Sequence, residues 1–277
     1  MRMRFHMCAF SVPKRDATVS ENQDSVAPKA PRPHGRHDFP WSKDVTAKQG
    51  RVFFGIADGA TEGVHSGAWA ALTLRCLGRS FAEIFRPNDF EELLHKTGRV
   101  WSRYKQIRSK NGSRPLTLLP KWLEEETLDR GAFTTACVAW FCENNRWTTA
   151  SIGDSCVFQE RGGELIYSSP IKESRQFHSS PFLFSSQPAS NQNLLDNIHI
   201  EHRDWEKSDR FYFATDALAC WILRQHEDGK FPLRKINGID DCYPQEFSEF
   251  VSMERETGSM RNDDTTLIRV QFAPEIR

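Results

Sequence analysis

The chain has no apolar run longer than a strand needs, so nothing in it reads as a membrane span. Its first residues, MRMRFHMCAF, carry positive charge but lack an apolar core and a small-residue cleavage site. They read as the start of the mature protein rather than a signal peptide. Charge of one sign is also missing: Lys plus Arg and Asp plus Glu both number 37. That balance points to no nucleic-acid and no membrane partner, and leaves only a local basic patch open. The seven cysteines (Cys8, Cys76, Cys137, Cys142, Cys156, Cys220, Cys242) form no CxxC pair and show no Cys/His spacing of a zinc site. Most lie in apolar stretches such as TTACVAWFC and ALACWIL, as buried reduced thiols of a cytoplasmic protein would. No repeat of solenoid or propeller period is present.

What remains is a globular composition, 38% hydrophobic and 27% charged over 277 residues, enough for one domain spanning 1–277 with a sizeable core. Residues 28–48 are rich in Pro, His, Lys and Arg and read as a surface loop. RVFFGIA (51–57) is a buried strand stopped by Asp58-Gly59. Apolar residues recur at helical spacing from His65 to Phe85. A second helix is expected over 89–110, with Asp89 as N-cap and Asn111-Gly112 as its stop, and a short third one at Pro120. AFTTACVAWFC/RWTTASIG and SCVFQE/ELIYSS then look like two successive hairpins of one antiparallel meander. Residues 168–208 are polar and irregular, a flap-like segment expected to shape a pocket. DRFYFAT is a strand leading into the helix DALACWILRQHE. PQEFSEFVSMERETG is a further helix, and TTLIRVQF the last strand. The tryptophans Trp69, Trp101, Trp140 and Trp221 fall in these patterns and read as core.

The informative feature is where the carboxylates fall. Three strands end in an aspartate beside small residues: FFGIA-Asp58-Gly59, TASIG-Asp154-Ser155 and FYFAT-Asp216-Ala217. Asp263-Asp264 directly precede the last strand, and Asp24 precedes the candidate strand SVAP. Any one of these is an ordinary turn residue. Together they can converge on one rim of a sheet, where carboxylates repel unless cations lie between them. Hard oxygen ligands suit Mn²⁺ or Mg²⁺.

In this order, ENQDS (21–25), GIADGATEGVHSGAWA (55–70), GAFTTACVAW (131–140) with SIGDSCVF (151–158), FYFATDAL (211–218) and RNDDTTLIRV (261–270) resemble the motifs of the type 2C (PPM-type) metal-dependent protein phosphatases, bacterial members in particular. The resemblance covers most of the chain. It implies an α+β fold, a four-layer α/β/β/α sandwich of two antiparallel sheets flanked by helices. It also implies a two-metal centre at one end, with Mn²⁺ or Mg²⁺. Asp58 would bridge both ions and Gly59 would offer its carbonyl; Asp24, Asp216 and Asp263 would hold the ions directly or through water. Asp154, with Asp216, matches the ligands of a weaker third ion. The implied reaction is attack of a metal-bridging water on phosphoserine or phosphothreonine of a protein, opposing a bacterial Ser/Thr kinase.

Several positions depart from the family. Gln23 stands for the usual Glu, Ala217 for Gly, and Ala60-Thr61-Glu62-Gly63 for a Met-Gly-Gly-His run. Val19 occupies the place of a phosphate-gripping Arg, and Lys14 or Arg15 is the nearby cation that could replace it. Asp264 takes the place of an Asn, so either member of the pair could face metal; the alignment favours Asp263. His34, His37 and His65 are candidates for a general acid, or else surface and capping histidines. Two other readings remain: a catalytically weak pseudophosphatase that binds phosphoproteins, and a hydrolase of a small phosphate ester.

Overall fold

The computed structural model describes residues 3–30, 39–60, 65–79, 86–110, 130–178, 180–241 and 243–273. The strands are β1 (Arg4–Val12), β2 (Ser25–Ala27), β3 (Trp41–Thr46), β4 (Arg51–Ala57), β5 (Phe133–Thr134), β6 (Ala136–Cys142), β7 (Arg146–Ile152), β8 (Cys156–Arg161), β9 (Glu164–Ser169), β10 (Phe184–Ser185), β11 (Ile198–Asp204), β12 (Arg210–Ala214) and β13 (Thr265–Phe272). The helices are α1 (Ser66–Leu77), α2 (Pro87–Lys110), α3 (Asp216–Glu227), α4 (Pro232–Asn237) and α5 (Pro244–Glu256).

Side-chain alternation builds the layers. On β1, Phe5, Met7 and Ala9 face one way, and Cys8 and Phe10 the other. On β6, Cys137, Ala139 and Phe141 oppose Ala136, Val138 and Trp140 in the same manner. One sheet runs β3-β1-β13-β12-β8-β9 and the other β11-β7-β6-β4-β2, and every pairing in them is antiparallel. The inward sets meet in an aromatic centre where Phe141 touches Phe5, Phe54, Phe211 and Trp147, with ring centroids 4.6–5.8 Å apart. The outward set of the five-stranded sheet packs under α1 and α2 through Trp69, Leu74, Phe90 and Trp101. The outward set of the six-stranded sheet packs under α3, α4 and α5 through Leu218, Trp221, Ile236 and Phe250. The result is the four-layer α/β/β/α sandwich.

Several local expectations change. Residues 41–46 are not loop but the edge strand β3, paired with β1. Residues 198–204, inside the segment expected to be irregular, form the edge strand β11 on β7. The two look-alike hairpins are not one meander: β6-β7 belongs to one sheet and β8-β9 to the other. The chain crosses between sheets at Gly153, whose φ of +86° suits glycine. An added Cβ there would meet Thr135 Cγ2 at 2.6 Å. Helix α2 starts at Pro87, and Asp89 caps it from within the first turn by accepting the Arg86 N–H at 3.1 Å. The stop at 111–112 and the helix at Pro120 lie outside the described residues. Trp69, Trp101, Trp140 and Trp221 are all buried.

Candidate metal centre

Strand β4 ends at Ala57, and the next residue is held by the neighbouring strands. The Asp58 N–H donates to Thr135 Oγ1 (3.1 Å), while its carbonyl accepts from the Thr135 N–H and Thr134 Oγ1 (both 2.8 Å). Thr135 Oγ1 also meets Ser155 Oγ at 2.6 Å, tying the Asp58 turn to the Asp154 crossover. Gly59 sits where a Cβ would strike the Ser66 carbonyl carbon at 2.7 Å and the Gly67 nitrogen at 2.8 Å, so only glycine lets the turn press against the start of α1.

The other carboxylates arrive on equally fixed backbone. Asn22 Oδ1 accepts the Asp24 N–H (2.9 Å), and Asn22 Nδ2 donates to Ser11 Oγ (2.8 Å), which places Asp24 at the head of β2. Thr215, the N-cap of α3, donates to Asp24 Oδ2 at 3.3 Å and accepts the Thr266 N–H at 2.9 Å. Asp216 opens α3, where its Oδ1 accepts the Ala217 N–H (2.6 Å) and its Oδ2 accepts from Arg261 Nη2 (2.5 Å).

Asp263 and Asp264 are employed differently. The two oxygens of Asp264 accept the Lys14 N–H (2.9 Å) and the Gln23 N–H (3.0 Å), so this carboxylate stitches two loops together. Asp263 spends Oδ1 on the Asp264 N–H (2.9 Å), and its charge is felt at Asp58, Asp154 and Asp216.

These groups perturb one another strongly. Burial, then the charges of Asp264 and Asp216, push Asp24 up to about 8. Asp58 is raised well above the carboxylate range by burial and by Asp24, Asp216, Asp263 and Asp154. Burial, then Asp216, brings Asp154 to about 7. Asp216 is raised by burial, with Arg261 opposing. The five candidate ligands and Asp264 thus share a region where they cannot all ionise unaided. Asp24 Oδ1 is moreover buried without a hydrogen-bond partner among the described residues. An all-oxygen donor set with an orphaned buried acceptor fits hard divalent cations.

No protein-family profile and no curated protein matches the sequence. Solved structures do match. The Mycobacterium tuberculosis serine/threonine phosphatase PstP superposes with a TM-score of 0.58 at 14% identity, over 98% of this chain and 100% of that one. A structure of the PstP catalytic domain with two manganese ions gives 0.53 at 13%, over 98% and 100%. The S. agalactiae serine/threonine phosphatase gives 0.52 at 11%, over 97% and 100%. The chain has the fold of the PPM-type phosphatases.

On this PPM fold, Asp24, Asp58, Asp154, Asp216 and Asp263 come together at one end of the sandwich, as the strand ends lead one to expect. The cations do not gather as expected. Arg15 Nη2 lies 3.5 Å from the Ser252 carbonyl and 3.9 Å from Glu256, against α5. Lys14 contributes its backbone N–H, and its charge is felt at Glu21. Val19 is exposed. The guanidinium in contact with the cluster belongs instead to Arg261. His65 is buried at the N-cap of α1, and His34 and His37 lie outside the described residues.

The sequence marks the groups that support the aspartates only weakly. Thr135 lies inside GAFTTACVAW with no aspartate beside it; Thr215 and Asn22 lie inside the quoted motifs, one and two residues from an aspartate, and that adjacency is the available signal. Arg255 had none: from α5 it donates to the Pro13 carbonyl (2.9 Å), to Thr265 Oγ1 (2.9 Å) and to the Asp263 carbonyl, fixing the turn that carries Asp263. Segment 168–208 does shape a pocket, a cavity of about 310 Å³ beside Asp154 walled by Pro170, Ile171, His178 and Phe182.

Proposed function

We propose that the chain is a single-domain, cytoplasmic phosphatase that removes phosphate from phosphoserine or phosphothreonine of proteins, opposing a bacterial Ser/Thr kinase, and that it depends on Mn²⁺ or Mg²⁺. The observation that carries this reading is the convergence of five aspartates whose mutual repulsion asks for divalent cations, at the end of a PPM sandwich. Asp58 would lie between two ions with the Gly59 carbonyl beside it. Asp24, Asp216 and Asp263 would complete the two shells, and Asp154 with Asp216 would hold a weaker third. Such ions supply Lewis-acid polarisation of water and of the phosphate oxygens, so no covalent intermediate on the protein is needed.

The chain's own groups do the rest. Thr134, Thr135 and Thr215 hold two of the carboxylates by backbone and hydroxyl bonds that need no reorganisation during reaction. Arg261, paired with Asp216 beside the cluster, is the cation placed to grip the phosphate dianion were Asp216 to serve a cation instead, the task for which Val19 offers no charge. The cavity beside Asp154 gives the peptide side of the substrate an apolar wall in Ile171 and Phe182.

Phosphate release from a phosphopeptide should require Mn²⁺ or Mg²⁺, stop with chelator, and fall at least about 100-fold in Asp58→Asn and Asp216→Asn. Release indifferent to chelator, or intact in both variants, would falsify the proposal. The exposed Val19 and the engaged Arg15 are what favour the second reading, a phosphoprotein-binding pseudophosphatase. Calorimetry showing phosphopeptide binding with no release would establish it.

A further inference from the structure

The six-stranded sheet carries a second cluster of ligand-type side chains at its other end. His6 and Cys8 lie two residues apart on β1 and therefore on one face. His6 pairs in register with Gln271, whereas the aspartate centre adjoins Thr265, roughly 20 Å along β13. Asp241 comes from the loop after α4. Its Oδ2 lies 2.7 Å from Cys8 Sγ and 3.8 Å from His6 Nε2. One donor atom each from His6, Cys8 and Asp241 fall within 4.8 Å of one another.

We propose that His6, Cys8 and Asp241 form a zinc site, separate from the aspartate centre, with its fourth position open to the adjoining cavity. Thiolate, imidazole and carboxylate together select zinc over the hard cations that suit an all-oxygen set. In a tetrahedral shell with bonds of about 2.0–2.3 Å, donors stand about 3.5 Å apart. Nε2 and Oδ2 already meet that spacing. Sγ and Oδ2 need to part by roughly 1 Å as Cys8 gives its thiol proton, and protonated His6 its Nε2 proton, to solvent and the two freed donors take the ion.

The surroundings hold the donors in place. Asp44 Oδ1 bonds His6 Nδ1 at 2.9 Å, so the ring presents Nε2 to the cluster, the usual outer support of a metal-bound histidine. Arg269, beside Cys8 in register, donates to the Ile236 (2.7 Å) and Ile239 (2.9 Å) carbonyls, which anchors the loop that carries Asp241. It also pairs with Asp241 Oδ1, leaving Oδ2 to the ion. The cavity, about 380 Å³ and lined by His6, Cys8, Arg210, Asp241 and Arg269, leaves room for water or an anion as fourth ligand. The charges of Zn²⁺, one thiolate and one carboxylate cancel.

The test uses Co²⁺ as a probe, because only a cobalt–thiolate bond gives an intense near-ultraviolet charge-transfer band. Metal-freed protein should show the band at one cobalt per chain, with loss on adding equimolar Zn²⁺ and persistence in excess Mn²⁺. Cys8→Ser and His6→Gln should abolish it, and Asp44→Asn should weaken zinc affinity about 10–100-fold. Asp58→Asn should keep the band, so failure here and failure of the proposed phosphatase reading are read separately. Absence of the band, its survival in Cys8→Ser, or unchanged zinc affinity in Asp44→Asn would each overturn the assignment.

Discussion

Two adjacent aspartates of the same chemistry are held differently. Asp264 spends both oxygens on the backbone N–H groups of Lys14 and Gln23 while its charge bears on Asp24 and Asp216; Asp263 spends one oxygen on the Asp264 N–H and bears on Asp58, Asp154 and Asp216. Asp263→Asn should therefore remove cation-dependent turnover while leaving the folded protein close to its original stability. Asp264→Asn should do the reverse, since an amide NH₂ would be set against a backbone N–H; the cost is about 1–3 kcal/mol. Denaturant midpoints and Mn²⁺ titrations of the two variants separate the roles, and equal behaviour would contradict them. The sequence alone does not show how the two members of the pair are held. The groups that claim Asp264 lie 250 and 241 residues away, and no local pattern reports that distance. Cations beside the cluster show the same limit: nearness in the chain points to Lys14 and Arg15, whereas Arg261 contacts Asp216 from the turn before β13. A direct check is Arg261→Ala, which should raise KM for a phosphopeptide more than it lowers kcat.

Strand interiors were legible, and so were the edge strands β2 and β9, but the edge strands β3 and β11 were not. RVFFGIA, ACVAWFC and TTLIRVQF announce themselves because both faces are buried, one on the aromatic centre and one on a helix layer. Edge strands β3 and β11 read WSKDVT and IHIEHRD, and their charges keep an open edge from pairing with another chain. Those charges erase the hydrophobic signal that marks a strand. Crossovers are equally silent, because two hairpins of similar composition went to different sheets at Gly153. That turn is the element on which the Asp154 position depends. Gly153→Ala would force a Cβ against Thr135 and strain a φ of +86°. A loss of about 1–3 kcal/mol is expected, seen as a lower denaturant midpoint at unchanged slope. Thr135 also anchors Asp58, so Mn²⁺ affinity should fall in the same variant; wild-type stability and affinity would show that the turn is not constrained as described.

At the scale of the whole molecule, the aspartate cluster works against the core that surrounds it. Asp24 and Asp154, raised to about 8 and about 7, and Asp58 and Asp216, also raised, bind protons more tightly folded than unfolded. Their contribution to stability is complete below the unfolded carboxyl pKa near 4 and is lost as pH rises through the folded values. Asp209 has the opposite sign. Burial raises it, but its bonds to Arg161, the Glu206 N–H and Gln159 outweigh that and hold it below its ordinary value. Its contribution is lost only as pH falls below that ordinary value. The metal-free protein should therefore be most stable in mild acid, and its melting temperature in chelator should drop between about pH 5 and pH 8. Saturating Mn²⁺ should close that gap, because divalent cations favour the ionised carboxylates of the native state alone. In chelator at pH 8, Asp58→Asn should melt above the wild type, since one repelling charge is gone; with Mn²⁺ present the order should reverse. Equal melting temperatures at the two pH values without metal would mean that the carboxylates are not crowded as the fold places them. A gap that Mn²⁺ leaves open would mean that the crowding serves something other than cations. The site is thus a local instability kept by a molecule whose two aromatic-lined sheets are stable enough to carry it, the pattern expected where function rather than folding chose the residues.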